Sequence, residues 1–92
     1  MQVRWTTAAA RDLENIADYL FEKTPQNALR LIREICEAVF ALKTYPNRGR
    51  PGKKSGTREL VLRSLPYIVV YQIAGHVLHI VRILHGAQDW QR

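Results

Sequence analysis

Arginine, histidine and tyrosine side chains recur through the second half of this 92-residue chain. RNA cleavage by a 2′-hydroxyl needs a base, a cation that stabilises the phosphorane, and an acid that protonates the leaving oxygen. Arginine supplies fixed charge with fork geometry, and histidine is the natural acid or base near neutral pH. The residues that could meet these needs are Arg58, Arg63, Tyr71, Arg82 and His85. Any basic sheet protein could carry such a set, so it suggests this chemistry without specifying it.

Each of these candidates also has a structural interpretation. Arg82 could pair with Glu59 or with an acidic residue of a helix. This structural interpretation and the catalytic one are about equally supported. A histidine at a strand end, such as His85, is more often a surface or hydrogen-bonded residue than a catalytic one. Tyr67 and Tyr71 share one face of a strand, which predicts core residues whose hydroxyls reach the rim.

A cationic loop precedes the strands that carry these side chains. Residues 47–57 contain three glycines, one proline and four basic residues, Arg48, Arg50, Lys53 and Lys54. This composition predicts a loop with its charge in water. The cations could hold phosphates or contact an acidic partner, or they could only keep the loop soluble.

Positive charge is confined to one half of the chain. The formal net charge is +6, yet residues 1–42 carry five basic and six acidic side chains. Residues 43–92 carry nine basic and two acidic side chains, a net of +7. This asymmetry favours a surface that binds nucleic acid or an acidic protein, with a merely solvated face as the alternative.

The sequence argues against a metal, a cofactor and a membrane. His79 and His85 lie about 20 Å apart on an extended strand, so one metal ion cannot bridge them. No dinucleotide or phosphate-loop motif is present, and we expect no cofactor. The single cysteine, Cys36, excludes an internal disulfide, and its helical apolar context predicts a buried, inert thiol. We find no signal peptide and no run of roughly 18 apolar residues, which fits a cytoplasmic protein.

Hydrophobic periodicity predicts two helices after a first strand, in a single domain over residues 1–92. The strand covers Gln2 to Thr6, and a helix capped by Thr6 or Thr7 begins at the alanines and stops near Lys23. Thr24 and Pro25 would cap and open the second helix, which ends at residues 45–47. Its apolar stripe is wide and comprises Ala28, Leu29, Ile32, Ile35, Cys36, Val39, Phe40 and Leu42. We expect most of this stripe to be core.

Three strands complete the predicted fold. They cover residues 58–64, 67–73 and 77–84, and the turns between them are short enough for antiparallel hairpins. The order β-α-α-β-β-β predicts an α+β fold with two helices on one face of a twisted, mainly antiparallel sheet. The other face would stay partly open beside the basic loop. Trp90, in the tail, could close the core edge or contact a neighbouring molecule.

Several segments together resemble the RelE/ParE superfamily of bacterial toxins, the toxin halves of type II toxin–antitoxin operons. The element order matches, and so do AARDLENI (9–16), YPNRGRPG (45–52), GTREL (56–60), LPYIVVYQI (65–73) and LHIVRILHGAQDW (78–90). The resemblance implies a cytoplasmic toxin that a cognate antitoxin wraps and blocks. It also implies that the toxin reaches operator DNA only through the antitoxin.

The superfamily divides in activity, and the resemblance leaves both kinds open. RelE-like members cut mRNA on the ribosome without a metal, and that role would fall to Arg58, Arg63, Arg82 and His85. ParE-like members act on DNA gyrase and are not nucleases. With either activity, contacts to nucleic acid or to another target would come from Arg48, Arg50, Lys53, Lys54, Tyr71 and Trp90.

Two departures from the nuclease pattern favour the ParE-like activity. The chain lacks a dense Lys/Arg set around its last strand, and no tyrosine follows that strand; Trp90 is the only aromatic residue there. A gyrase-directed toxin is therefore the preferred interpretation. A ribosome-dependent mRNA endoribonuclease and a non-toxic module that only binds antitoxin are the alternatives.

Overall fold

The computed structural model describes residues 1–86, which form two helices packed on one five-stranded sheet. The elements are β1 Gln2–Trp5, α1 Thr7–Lys23, α2 Ala28–Ala41, β2 Arg50–Pro51, β3 Thr57–Val61, β4 Tyr67–Ala74 and β5 Val77–His85. The sheet order is β1-β5-β4-β3-β2, with β1 parallel to β5 and the other neighbours antiparallel. The predicted α+β class and element order are confirmed, and β2 is added. None of the described helices is long and apolar enough to cross a membrane.

The hydrophobic core lies between the two helices and one face of the sheet. Ile16 and Leu20 of α1 and Ile35 and Val39 of α2 belong to one buried cluster with the strands. The strands contribute Leu60, Tyr67, Val69, Tyr71, Leu78, Ile80 and Ile83. Burial of each large apolar side chain stabilises the fold by roughly 1.5–3 kcal/mol, so this cluster is the main stabilising element.

Thr6 connects the start of α1 to the last strand. Its Oγ1 accepts a hydrogen bond from Ala9 N at 3.0 Å, which makes Thr6 rather than Thr7 the N-cap. The same Oγ1 donates to Val81 O at 2.8 Å, and Thr6 N donates to Ile80 O at 3.0 Å. The cap therefore also fixes α1 against β5 at the point where β1 ends.

The predicted start of α2 at Pro25 is wrong. The helix begins at Ala28 with Asn27 as its N-cap. Thr24 instead ends α1, because its N–H donates to Leu20 O at 2.8 Å. Asn27 N then donates to Thr24 O at 3.0 Å, so Pro25 lies in a tight turn between the helices.

The predicted loop over residues 47–57 contains the short strand β2, which pairs Arg50 with Glu59 and Pro51 with Arg58. A two-residue strand that includes proline has no alternating pattern by which a sequence could reveal it. In addition, β3 ends at Val61 rather than at Ser64. The chain turns there, and Leu62 N donates to Tyr67 O at 3.2 Å.

A β-bulge divides β5 into two halves. Val70 pairs with Arg82 whereas Tyr71 pairs with Ile80, which leaves Val81 as the extra residue. Ile80 and Ile83 both belong to the core cluster, although a regular strand would place residues three apart on opposite faces. The bulge thus turns Arg82 away from the core face while Ile83 packs into it.

Cys36 lies on the outer side of α2, so the predicted burial of its thiol is wrong. The residue is exposed because the core contacts of α2 come from Ile35 and Val39. Leu29 and Phe40 on the same helix are 66% and 68% exposed, so the apolar stripe is wider than the core that covers it. Partial burial still raises the pKa of Cys36, which argues against a thiolate nucleophile.

Candidate functional site

Tyr71 folds the basic loop onto the sheet. Its side chain is fully buried, and its hydroxyl donates to Pro46 O at 2.7 Å while accepting from Gly49 N at 2.8 Å. A Cβ at position 49 would lie 2.7 Å from both Cε1 and Oη of Tyr71, so the approach requires glycine. The predicted core position of Tyr71 is confirmed. Its burial does not fit the predicted direct contact with a target and makes it a support for the loop.

Arg58 holds the same loop from β3. Its Nη1 donates to Gly49 O at 2.7 Å and to Asn47 O at 3.3 Å. The guanidinium therefore satisfies carbonyl groups of the loop. In this geometry Arg58 anchors the loop, whereas the nuclease interpretation would make it a catalytic residue.

A buried carboxylate orients Arg50. Glu59 is only 5% exposed, and its Oε1 accepts from Arg50 Nε at 3.1 Å and from Nη2 at 3.0 Å. Lys53 N approaches Oε2 at 3.4 Å. A carboxylate at this depth needs a cationic partner, since an unpaired buried charge is costly. Arg50 is thus held in place while much of its side chain remains exposed.

Arg82 forms a bidentate ion pair with Asp12 of α1. Arg82 Nε donates to Oδ2 at 2.7 Å and Nη2 to Oδ1 at 3.0 Å, while Ile83 N donates to Oδ2 at 2.9 Å. The hydrogen bond to Asp12 raises the pKa of Arg82. Of the two predicted partners, the acidic helix residue is confirmed, and Glu59 pairs with Arg50 instead. Asp12 also covers the edge of β5 beyond the end of β1.

The four predicted catalytic residues have different surroundings, since Arg58 is bound to a carbonyl of the basic loop and Arg82 to Asp12. Arg63 is exposed beyond the end of β3, and His85 ends β5 with its ring centroid 6.0 Å from that of Tyr67. Within residues 1–86, no three His, Cys, Asp or Glu side chains are grouped to bind a metal ion.

Three arginines instead meet at a groove along the outer edge of β3. The groove has a volume of about 380 Å³ and is lined by Ala38, Arg48, Arg50, Glu59, Leu60, Val61, Leu62 and Arg63. We call this the β3 groove. Arg48 also lines a neighbouring depression of about 680 Å³ with Tyr45, Pro46 and Asn47. Sequence reasoning assigned Arg63 to catalysis and missed its place beside the loop arginines, since only the fold brings them together.

Two further predicted contact residues, Lys53 and Lys54, belong to the same basic loop. Lys53 and Lys54 are exposed on the turn before β3, where Thr57 Oγ1 donates to Lys54 O at 2.6 Å. Gly56 adopts a φ of +83° in that turn, a conformation that favours glycine. Trp90 lies outside the described residues.

Comparison with known proteins identifies the class of this chain. Residues 3–90 match the family model of the ParE toxin of the type II toxin–antitoxin system parDE. The chain is 43% identical over 89 residues to putative toxin Y4kP of Sinorhizobium fredii, covering 97% of this chain and 92% of that protein. It is 40% identical over 87 residues to toxin RelE2 of Caulobacter vibrioides, covering 95% and 97%. The chain belongs to the ParE toxin family, and it is a toxin of a type II toxin–antitoxin system.

Solved structures agree with this assignment. A chain of the chromosomal ParDE system from P. aeruginosa superposes with a TM-score of 0.85 at 33% identity, covering 92% of this chain and 95% of that one. A chain of the RelBE2 toxin–antitoxin complex from Mycobacterium tuberculosis gives a TM-score of 0.64 at 29% identity, covering 91% and 95%. The resemblance to the RelE/ParE superfamily is therefore confirmed.

Proposed function

We propose that this toxin acts by binding DNA gyrase, that it does not cut RNA, and that a cognate antitoxin neutralises it in the cytoplasm. The observation that carries the proposal is the engagement of the predicted catalytic arginines within the fold. Arg82 is bound bidentately to Asp12, and Arg58 is bound to loop carbonyls. A phosphoryl-transfer site needs cations preorganised toward the substrate, and these two point into the protein's own structure.

The energy of the Asp12 pair supports this argument. Hydrogen bonds to charged groups contribute about 1.5–3 kcal/mol each, reduced here because the Arg82 side chain is 38% exposed. Turning Arg82 toward a phosphate would also leave Asp12, whose side chain is 14% exposed, without its cation. Arg82 therefore contributes more as a connection between α1 and β5 than as a catalytic cation.

The cations of the basic loop suit a contact surface. Tyr71, Arg58 and Glu59 fix the loop from below, so Arg48 and Arg50 are presented in a defined geometry. A preorganised loop loses little conformational entropy when it binds a partner. We assign target contacts to this loop, to Lys53 and Lys54, and to Trp90.

An antitoxin partner follows from charge and from family. The half of the chain with a net charge of +7 favours an acidic partner. The solved relatives come from toxin–antitoxin systems, one of them a toxin–antitoxin complex. In this proposal the toxin itself does not read operator DNA, which it reaches only through the antitoxin.

Induced expression in bacteria without antitoxin tests the target. We expect an SOS reporter to rise while pulse-labelled protein synthesis is initially intact, and purified chain to inhibit gyrase supercoiling. His85→Ala and Arg63→Ala should both leave gyrase inhibition in place. Arg48→Ala together with Lys53→Ala should weaken it, with Arg11→Ala as a matched surface control. A fast fall in protein synthesis with a silent reporter would refute the gyrase assignment.

A ribosome-dependent endoribonuclease is the second candidate. Arg63 and His85 favour it, because both are exposed toward the same end of the sheet. That activity predicts mRNA cleavage on translating ribosomes, lost in both Arg63→Ala and His85→Ala. A chain that arrests neither synthesis nor growth would instead be a non-toxic module that only binds antitoxin.

A further inference from the structure

The outer face of α2 carries exposed apolar side chains from one end of the helix to the other. Leu29 is 66% exposed, Phe40 is 68% exposed, and Cys36 between them is also exposed. At about 100° per residue, these three positions fall within about 40° of one another around the helix axis. They therefore form one continuous stripe, which we call the α2 stripe. A contiguous apolar patch on the surface marks a site of interaction.

A groove borders the C-terminal half of the α2 stripe. It has a volume of about 250 Å³ and is lined by two residues of β1 and three of α2, namely Val3, Trp5, Cys36, Val39 and Phe40. Among the described strands β1 is an edge strand, so no neighbouring strand covers this side. The same face thus has a projecting side chain, Leu29, at one end and an apolar recess at the other.

We infer that two copies of this chain associate through the α2 stripe, with their α2 helices antiparallel about a two-fold axis. Such an interface places the same patch of each copy against the other, so every contact is made twice. When Leu29 of one copy lies opposite Phe40 of the other, each Leu29 enters the groove of its partner. The projection and the recess of a single patch then complement each other.

Charged residues on one flank of the stripe fit the same register. Arg33 and Glu37 lie four residues apart, and neither has an ion-pair partner within residues 1–86, whereas the neighbouring Arg30 and Glu34 are paired at 3.1 Å. Residues on the same flank of two antiparallel helices face each other, so Arg33 of each copy meets Glu37 of the other. One register therefore satisfies both the apolar and the charged side chains.

Charge also argues against other occupants of this face. The helix α2 carries two arginines and two glutamates, so it has no net charge with which to attract nucleic acid or an anionic membrane. The chain's positive charge lies in residues 43–92, and the basic loop leads into β2, at the opposite edge of the sheet from β1. Lys43, whose Nζ lies 5.0 Å from the Phe40 ring, would face the neutral Gln26 of the other copy. Two copies can thus meet here without strong repulsion.

The interface formed in this way is small. The helix has 14 residues and is about 21 Å long, and one helix with its adjacent groove buries less area than a standard stable interface. We therefore expect a dissociation constant on the order of 10–100 µM. The dimer would present two basic loops, so binding to a two-site target would gain avidity. The association itself does not depend on which target the loops bind.

Sedimentation equilibrium of the purified chain, freed of antitoxin, tests the inference. Between about 1 and 300 µM we expect a reversible monomer–dimer equilibrium. Leu29→Glu should raise the dissociation constant at least about tenfold, because it places a carboxylate in the partner's apolar groove. Tyr19→Glu is the matched control: Tyr19 is 55% exposed on α1, outside the stripe, and its change should alter dimerisation less than about threefold. Circular dichroism verifies that each variant folds.

Charge reversal tests the antiparallel register and provides a second set of variants. Arg33→Glu and Glu37→Arg should each weaken the dimer about tenfold, because each places like charges across the axis twice. The double variant exchanges the two charges and should restore the dissociation constant to within about threefold of wild type. Arg11→Glu is the surface control. Failure of the double variant to restore dimerisation would refute the register.

Cys36 reports the position of the axis. With Leu29 opposite Phe40, the axis passes between Glu34 and Ile35, so each Cys36 lies about 2 Å from it along the helix. At an interaxial distance of about 8–10 Å, the two Cys36 Cα atoms come within roughly 6 Å of each other, which a disulfide can bridge. The oxidant diamide should therefore link wild-type chains into a dimer. It should link Leu29→Glu far less and Cys36→Ser not at all.

The outcomes separate this inference from the proposed function. A chain that stays monomeric up to about 300 µM overturns the inference, and so does a dimer that Leu29→Glu leaves intact. A monomeric chain in which Leu29→Glu abolishes antitoxin binding would also overturn it, by assigning the stripe to the antitoxin. A monomer that inhibits gyrase refutes only the dimer, whereas a dimer without effect on gyrase refutes only the target.

Discussion

Replacing Tyr71 with phenylalanine tests how the basic loop is held. The change removes a buried hydroxyl that donates to Pro46 O and accepts from Gly49 N, with almost no change in volume. Each lost hydrogen bond costs about 0.5–1.5 kcal/mol, and a buried donor left unsatisfied costs about 1–3 kcal/mol. Gly49 is buried, but the Pro46 carbonyl is partly accessible to water. We therefore expect the free energy of unfolding to fall by about 2 kcal/mol.

The assay is urea unfolding followed by circular dichroism, with thermal unfolding as a second measure. For a domain of this size, about 2 kcal/mol corresponds to a fall in Tm of roughly 8–16 °C. Tyr67→Phe is the matched control, because Tyr67 is also buried but its hydroxyl has no hydrogen-bond partner among the described residues. It should cost less than about 0.5 kcal/mol.

A structural readout accompanies the stability measurement. Release of the loop should speed tryptic cleavage after Arg48, Lys53 or Lys54 in folded Tyr71→Phe, because proteolysis follows local opening. Tyr67→Phe should be cleaved at the wild-type rate. Equal stability losses in the two variants, or unchanged cleavage in Tyr71→Phe, would refute the assignment of the hydroxyl as the anchor of the loop.

Three further predictions concern Gly49, the Asp12–Arg82 ion pair and the ionisation of Tyr71. Gly49→Ala should lower the free energy of unfolding in urea by about 1–3 kcal/mol, because the added Cβ would lie 2.7 Å from the Tyr71 side chain. If the losses in Gly49→Ala and Tyr71→Ala simply add in the double variant, this steric cause is wrong. Asp12→Asn should lower the free energy of unfolding by about 2 kcal/mol, because it removes the carboxylate that binds Arg82. A double-mutant cycle with Arg82→Ala should show a coupling energy between the two positions, and zero coupling would contradict the ion pair. Burial raises the pKa of the Tyr71 hydroxyl in the folded state. The stability that the neutral hydroxyl contributes is therefore complete below the unfolded-state pKa near 10, and it is lost as the pH rises through the folded-state pKa. Wild type should therefore lose stability more steeply than Tyr71→Phe above about pH 10, and parallel pH profiles would contradict this.

Most of the fold could be predicted because its signals are local. The stripe through Leu13, Ile16 and Leu20 predicts α1, and the apolar run from Tyr67 predicts a central strand. The predicted start of α2 is wrong because a Thr-Pro pair fits two local structures. It can cap and open a helix, or, as here, Thr24 can end one helix while Pro25 forms a turn before the next. The strand β2 exists through its pairing with Glu59, and no property of Arg50 and Pro51 alone indicates it.

The candidate site was less predictable because it depends on contacts distant in sequence. Asp12 and Arg82 are 70 positions apart, and nothing near Arg82 distinguishes a structural guanidinium from a catalytic one. Arg63 joins the loop arginines only after β3 has turned back from β2. Cys36 lies next to the core residue Ile35 on α2, but Cys36 is exposed. The apolar stripe of this helix is wide, and the sequence does not reveal which edge of the stripe packs against the core.

The position of β5 constrains when the toxin becomes complete during synthesis. Within residues 1–86 the last strand, β5, lies inside the sheet, between β1 and β4, and both Thr6 and Asp12 bind to it. Among the described strands β1 therefore has no partner until β5 has left the ribosome, and such non-local pairing forms slowly. A chain released before β5 is made lacks both an interior strand and the partner of β1, so we expect it not to reach the folded state.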